Sequence, residues 1–237
     1  MLLPITREQI ITADNLASIR EYYEFRRQGD GYNYDGTALH SIVSSLYQVN
    51  LISKSNIFFG MLFEICLFKG IVDTLVQKII KENDYQHSYN KNEYIRQRLI
   101  SIGFSHEIAI GRYDEGYDFL LKNNNTGDLR IDAKVYGTKI INSPQSCSNF
   151  YLYVDEEQYR RHGCDTYIQG FIINQSNHLS FYVAGWKHRS ENFTYFPNAK
   201  NPAYGVKVTN LNNIGGLIDL IYQNNSQLAN GNPFDIF

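Results

Sequence analysis

Between Leu129 and Tyr136 apolar and polar residues alternate strictly: Leu129, Ile131, Ala133 and Val135 against Arg130, Asp132, Lys134 and Tyr136. That period of two predicts a strand with one face in the core and one charged face. Residues 117–122 read as a strand before it, and the intervening Asn123-Asn124-Asn125-Thr126-Gly127-Asp128 is turn chemistry, so the two should form an antiparallel hairpin. Residues 105–111 and 150–154 are further candidate strands, and 166–174 with 179–186 read as a second hairpin. Helical patterns cover residues 6–28, with Asp14 as a candidate N-cap, and 37–50, 57–80, 93–102, 155–162 and 213–223. Residues 29–36, 136–147 and 190–207 are expected to be loop or irregular. The expected fold class is α/β (α+β): a central mixed β-sheet flanked by helices.

The segment 57–80 is the most apolar part of the chain and too long for a strand. Glu64, Lys69 and Asp73 interrupt it, which argues for a buried helix over a membrane span. Glu64, flanked by Phe63 and Ile65, is an isolated acid there, and a buried carboxylate is costly unless paired or metal-bound. A place on the exposed stripe, or pairing with Lys69 or Lys78, is the competing account.

With 237 residues the chain is expected to form one domain, with residues 1–55 a helical N-terminal extension and about 57–190 the core. Hydrophobic residues at 43% and charged ones at 19% describe a globular chain. A net charge of -2 counts against a uniformly basic nucleic-acid coat, so any nucleic-acid partner must meet a local patch. Arg20, Arg26 and Arg27 among Tyr22, Tyr23 and Phe25 are one candidate, with a surface helix the preferred account, and Lys187, His188 and Arg189 are another. Cys66, Cys147 and Cys164 have neither zinc spacing nor a disulfide framework, and no signal-peptide pattern opens the chain, so a reducing, cytoplasmic setting is expected. Walker A, G-x-S-x-G, G-x-G-x-x-G and paired-histidine helix motifs are absent.

The hairpin folds Asp118 back beside Asp132, with Lys134 two residues on and projecting to the same side. Simple pairing about the turn would set Asp118 opposite Ala133, so a one-residue shift or bulge is needed to put both acids together. Two carboxylates and an amine at a sheet end suit magnesium, which takes one or two carboxylates and fills its octahedron with water and phosphate. The adjacent His106 and Glu107 would point to opposite faces of a strand and cannot share one metal. Lys139 and Gln145, after the lysine, are weak phosphate or base candidates.

Asp118, then Asp132-Ala133-Lys134 in strand–turn–strand context, resembles the PD-(D/E)XK nuclease superfamily, which includes many restriction endonucleases. Tyr117 stands where the name-giving proline would be. The resemblance implies a restriction-endonuclease-like core spanning a single nuclease domain, and a Mg2+-dependent endonuclease, with Mn2+ as a substitute, cutting double-stranded DNA as a type II restriction enzyme does. It implies Asp118, Asp132 and the Ala133 carbonyl as metal ligands, Lys134 positioning the attacking water, and Glu64 as a further acid from the preceding helix. A homodimer would suit cleavage of both strands of a palindrome. The alternatives are a non-catalytic nucleic-acid-binding or regulatory protein on the same fold, and a structure-specific or RNA-directed nuclease of phage or antiviral defence.

Overall fold

A computed structural model describes residues 1–28, 38–82, 91–108, 116–123, 126–161, 163–175, 178–199 and 201–224, with the side chains of 23–28 and 137–139 left aside. The loop expected at 29–36, the far end of the strand expected at 105–111, and the side chains of Arg26, Arg27 and Lys139 therefore lie outside the described residues.

The elements run β1 (Leu2–Pro4), α1 (Arg7–Gln28), α2 (Ala38–Tyr47), α3 (Ile57–Lys81), α4 (Lys91–Ile102), β2 (Phe104–His106), β3 (Phe119–Leu121) and β4 (Leu129–Ile141). A 3-10 helix at Pro144–Asn149 leads to β5 (Tyr151–Asp155), α5 (Glu156–Arg160), β6 (Thr166–Gln175), β7 (His178–His188), β8 (Thr194–Phe196), β9 (Ala203–Lys207) and α6 (Ile214–Gln223). The fold is α+β with a mixed central sheet of six strands in the order β1-β7-β6-β4-β3-β2. Within it β4 and β6 are parallel, and the other neighbours are antiparallel. Among the described residues no helix is long and apolar enough to cross a membrane.

Helix α3 organises one face of the sheet. Its buried positions include Phe58, Phe59, Met61, Leu62, Phe63, Leu67, Ile71, Leu75 and Ile79, a width that lets α1 pack on one side and the sheet on the other. The approach to β6 is close: a Cβ added at Gly170 would lie 2.3 Å from Phe63 Cζ. Ile131 and Ala133 of β4, Phe119 and Leu121 of β3, and Leu217 and Ile221 of α6 join the same core. Smaller apolar clusters, one around Leu152, Val154, Cys164, Tyr167 and Val206, cover the other face.

Four local expectations are corrected. Helix α1 starts ahead of Asp14 through a capping box, in which Gln9 N–H donates to Thr6 Oγ1 (3.3 Å) and Thr6 N–H donates to Gln9 Oε1 (2.9 Å). Asp14 lies inside the helix, where its carboxylate accepts the Ile52 and Ser53 amides at 2.9 and 2.8 Å. Strand β4 does not end at Tyr136 but runs to Ile141, because after a register break it pairs again with β6 at Ile141↔Ile173. The span 190–207 holds β8 and β9, which form a three-stranded sheet with the distant β5, in the order β5-β9-β8. At the N-terminus, β1 enters the central sheet beside β7, a strand with no counterpart in the helical reading of that region.

Candidate metal and catalytic site

The hairpin forms with the shift that the acids require. Phe119 pairs with Ile131 and Leu121 with Leu129, so the next step of that register sets Asp118 level with Asp132. The ladder stops there. Asp118 donates its own amide to Ile131 O (2.9 Å), and its Oδ2 accepts the Ala133 N–H at 2.6 Å. Since the N–H and C=O of one strand residue point to the same side, the Ala133 carbonyl also faces the edge that β3 has vacated.

Asp132 is buried at 4% exposure, on the sheet face away from α3, in register with Tyr167 of β6. Its Oδ2 accepts from Lys134 Nζ (2.7 Å) and from Gln158 Nε2 of α5 (2.9 Å). Lys134 reaches the surface with a side chain 29% exposed. Asp118 is half-buried. Two residues before Asp132 on the same face, exposed Arg130 lies over the Tyr117 ring at 5.9 Å.

Glu64 approaches from α3. Its side chain is 7% exposed, and Oε2 lies 3.4 Å from His106 Nε2, at the end of β2. The exposed-stripe account of Glu64 is thereby excluded, and neither Lys69 nor Lys78 is its partner: Lys69 pairs with Asp73 and Lys78 with Asp219. Glu107 turns away from this pair to accept from Ser105 Oγ at 2.7 Å.

The electrostatics join these groups into one site. Burial raises the Asp118 pKa well above the usual carboxylate range, and the charges of Glu64 and then Asp132 add to it, against opposing contributions from the Ala133 N–H and Lys134. At Lys134 burial acts to lower the pKa, but the Asp132 carboxylate, its hydrogen bond and Asp118 together outweigh this, and the net direction is up. The amine is thus held as an ammonium. Asp118 and Asp132 both act on the one lysine, and Glu64 adds its charge at Asp118, an excess of negative charge that a cation would relieve; oxygen donors of this kind suit a small hard ion. Among the described residues no three His, Cys, Asp or Glu side chains form a ready-made metal cluster. The donor set fits an ion that takes one or two carboxylates and completes its shell with water and substrate, not an all-protein cage.

The remaining candidates lie apart from this cluster. Lys187 is tied to Glu191 at 2.7 Å, Arg189 lies over the Tyr159 ring at 4.9 Å, and Gln145 falls in the 3-10 helix after β4. A cleft of about 650 Å³ at the turn end of the hairpin is lined by Asn123, Asp128, Asp165, His188 and Asn224 among others, and by none of Glu64, Asp118, Asp132 or Lys134. Sequence reasoning missed two residues that touch the site. Gln158 carried no signal beyond a short charged helix, and His106 was dismissed for its neighbour when its partner lay on a helix far upstream. Comparison of the chain with family models, with curated proteins and with solved structures returns no match.

Proposed function

We propose that this protein is a magnesium-dependent nuclease of the PD-(D/E)XK kind, an endonuclease of restriction type that hydrolyses phosphodiester bonds in double-stranded DNA. The observation that carries the reading is the register of the hairpin, which sets Asp118 level with Asp132 beside Lys134, with the charge of Glu64 of α3 acting on Asp118. Asp118 and Asp132 would hold the ion, with the Ala133 carbonyl and Glu64 beside them. Bound there, magnesium or manganese supplies a water of lowered pKa and a Lewis acid at the phosphoryl oxygen.

The chain's own groups do the rest. Lys134, kept protonated by its acidic neighbours, is not a general base; its ammonium orients the attacking water and offsets charge developing on the phosphate. Gln158 fixes the rotamer of Asp132 from α5. The Ala133 amide does the same for Asp118. Asp132 and Glu64 lie below the surface, and Lys134 and Asp118 reach it, so a phosphodiester would meet the site along the edge of β4 past the end of β3.

A second reading, a nucleic-acid-binding protein without turnover, draws on the double occupation of Asp132 Oδ2 by Lys134 and Gln158, which satisfies that oxygen without a metal. Incubation of plasmid DNA and of single-stranded RNA with the protein, in Mg2+ and in EDTA, separates the two. The nuclease reading expects Mg2+-dependent cutting of the plasmid, abolished by Lys134→Ala with folding intact. Retention of nucleic acid by both proteins, with no cutting under any divalent ion, would establish the non-catalytic reading; preferential cutting of RNA would move the substrate to the defence-type alternative.

A further inference from the structure

The Glu64 carboxylate is buried, and among the described residues its one hydrogen-bonding partner is His106. The imidazole is clamped. Phe68, one helical turn beyond Glu64 and on the same face of α3, lies 5.4 Å from it, and Phe119, paired with it across β2 and β3, lies 5.0 Å away. Phe104 stacks on both phenyl rings at 5.7 Å. Ring packing of this kind leaves the imidazole little rotational freedom, and it aims Nε2 at Glu64 Oε2.

We propose that His106 is a positioning residue for divalent-metal binding: its Nε2–H, with the ring held between Phe68 and Phe119, fixes the rotamer of the Glu64 carboxylate, which serves the same ion as Asp118. The inference rests on the cation site of the nuclease reading and adds to it a residue that contacts no metal itself. Carboxylates that bind metals are themselves hydrogen-bonded, and loss of such an outer partner typically lowers metal affinity or activity about 10–100-fold. Packing explains the aromatic rings, but not why the only heteroatom-bearing ring among them faces the one acid of α3 that lies in the site.

The test is isothermal titration of Mn2+ into wild type and His106 variants without nucleic acid, with the Mg2+ dependence of plasmid cleavage and thermal melting in EDTA measured alongside. His106→Phe retains the ring packing and removes the donor. It should weaken Mn2+ binding and raise the half-saturating Mg2+ concentration by about 10–100-fold, with its EDTA melt near that of wild type. His106→Gln, which presents an N–H near the same place, should recover most of the affinity, while His106→Met, of similar length but with no donor, should not; this pair decides the matter should the Phe variant fail to fold. Equal Mn2+ affinity in wild type and His106→Phe, or in the Gln and Met variants, overturns the role of His106 and leaves the nuclease reading standing. A wild type that binds no Mn2+ and cuts nothing overturns both. A wild type that binds Mn2+ without cutting overturns only the nuclease reading.

Discussion

Asp118→Asn should make the metal-free protein more stable while removing its function. In the fold Asp118 is pressed by burial and by the charges of Glu64 and Asp132, so its ionised form costs free energy. Two like charges several ångströms apart at an effective dielectric constant of 20 repel by about 3 kcal/mol. Attraction to Lys134 cancels part of this. Asparagine still accepts the Ala133 N–H, but a neutral acceptor there is about 1 kcal/mol weaker than a charged one. The net gain is on the order of 1–2 kcal/mol, and at about 2–4 °C per kcal/mol for a chain of this length, the melting temperature in EDTA should rise by about 2–8 °C at pH 8. The pH dependence follows from linkage. Because the folded pKa is raised, the native state binds the extra proton between the ordinary aspartate value and the folded one, so wild-type stability falls as pH rises through that window and is level above it. The gap between variant and wild type should therefore be full at alkaline pH and close as the solution is acidified toward the ordinary carboxylate range. Added Mg2+ at 100 times its Kd should stabilise wild type by about 2.7 kcal/mol and leave the variant largely unmoved. Scanning calorimetry from pH 5 to 9, with and without Mg2+, reads all three. A variant that melts lower than wild type in EDTA at pH 8, or a gap that does not change with pH, refutes the electrostatic account of this site.

Two further predictions test how the site is supported. Gly170→Ala places a Cβ 2.3 Å from Phe63 Cζ, and overpacking of this sort costs about 1–3 kcal/mol; a lower urea midpoint is expected, with a Mg2+ affinity that also drops because α3 carries Glu64 one residue after Phe63. Burial pushes the Cys66 thiol up to about 12 and the Cys147 thiol up to about 11. A thiol reagent at pH 8 should accordingly titrate none of the three buried cysteines in the native protein and all of them in denaturant; rapid labelling of the native chain would show that the core opens.

The sequence by itself was enough to determine the type of most elements, the mixed sheet between helices, and the residues of the hairpin, because amphipathic period and turn chemistry are local properties that survive in any packing. Glu64 was legible as an anomaly, an acid in an apolar helix, and the resemblance offered it as a further acid of the site, but nothing in the sequence said what it would face. Its partner His106 and the Gln158 contact to Asp132 were decided by tertiary structure, since each joins elements separated by long stretches of chain and no local pattern records which faces meet. The register of Asp118 against Asp132 belongs to the same class: counting about the turn set Asp118 opposite Ala133, and the ladder shifted by one residue. The cause is packing, which places Phe119 and Leu121 together with Ile131 and Leu129 under α3 and leaves the two acids level at the end of the ladder. Strands β8 and β9 escaped the pattern for a similar reason, since a short strand is stabilised by its partner more than by its own residues, and theirs is β5, far back in the chain.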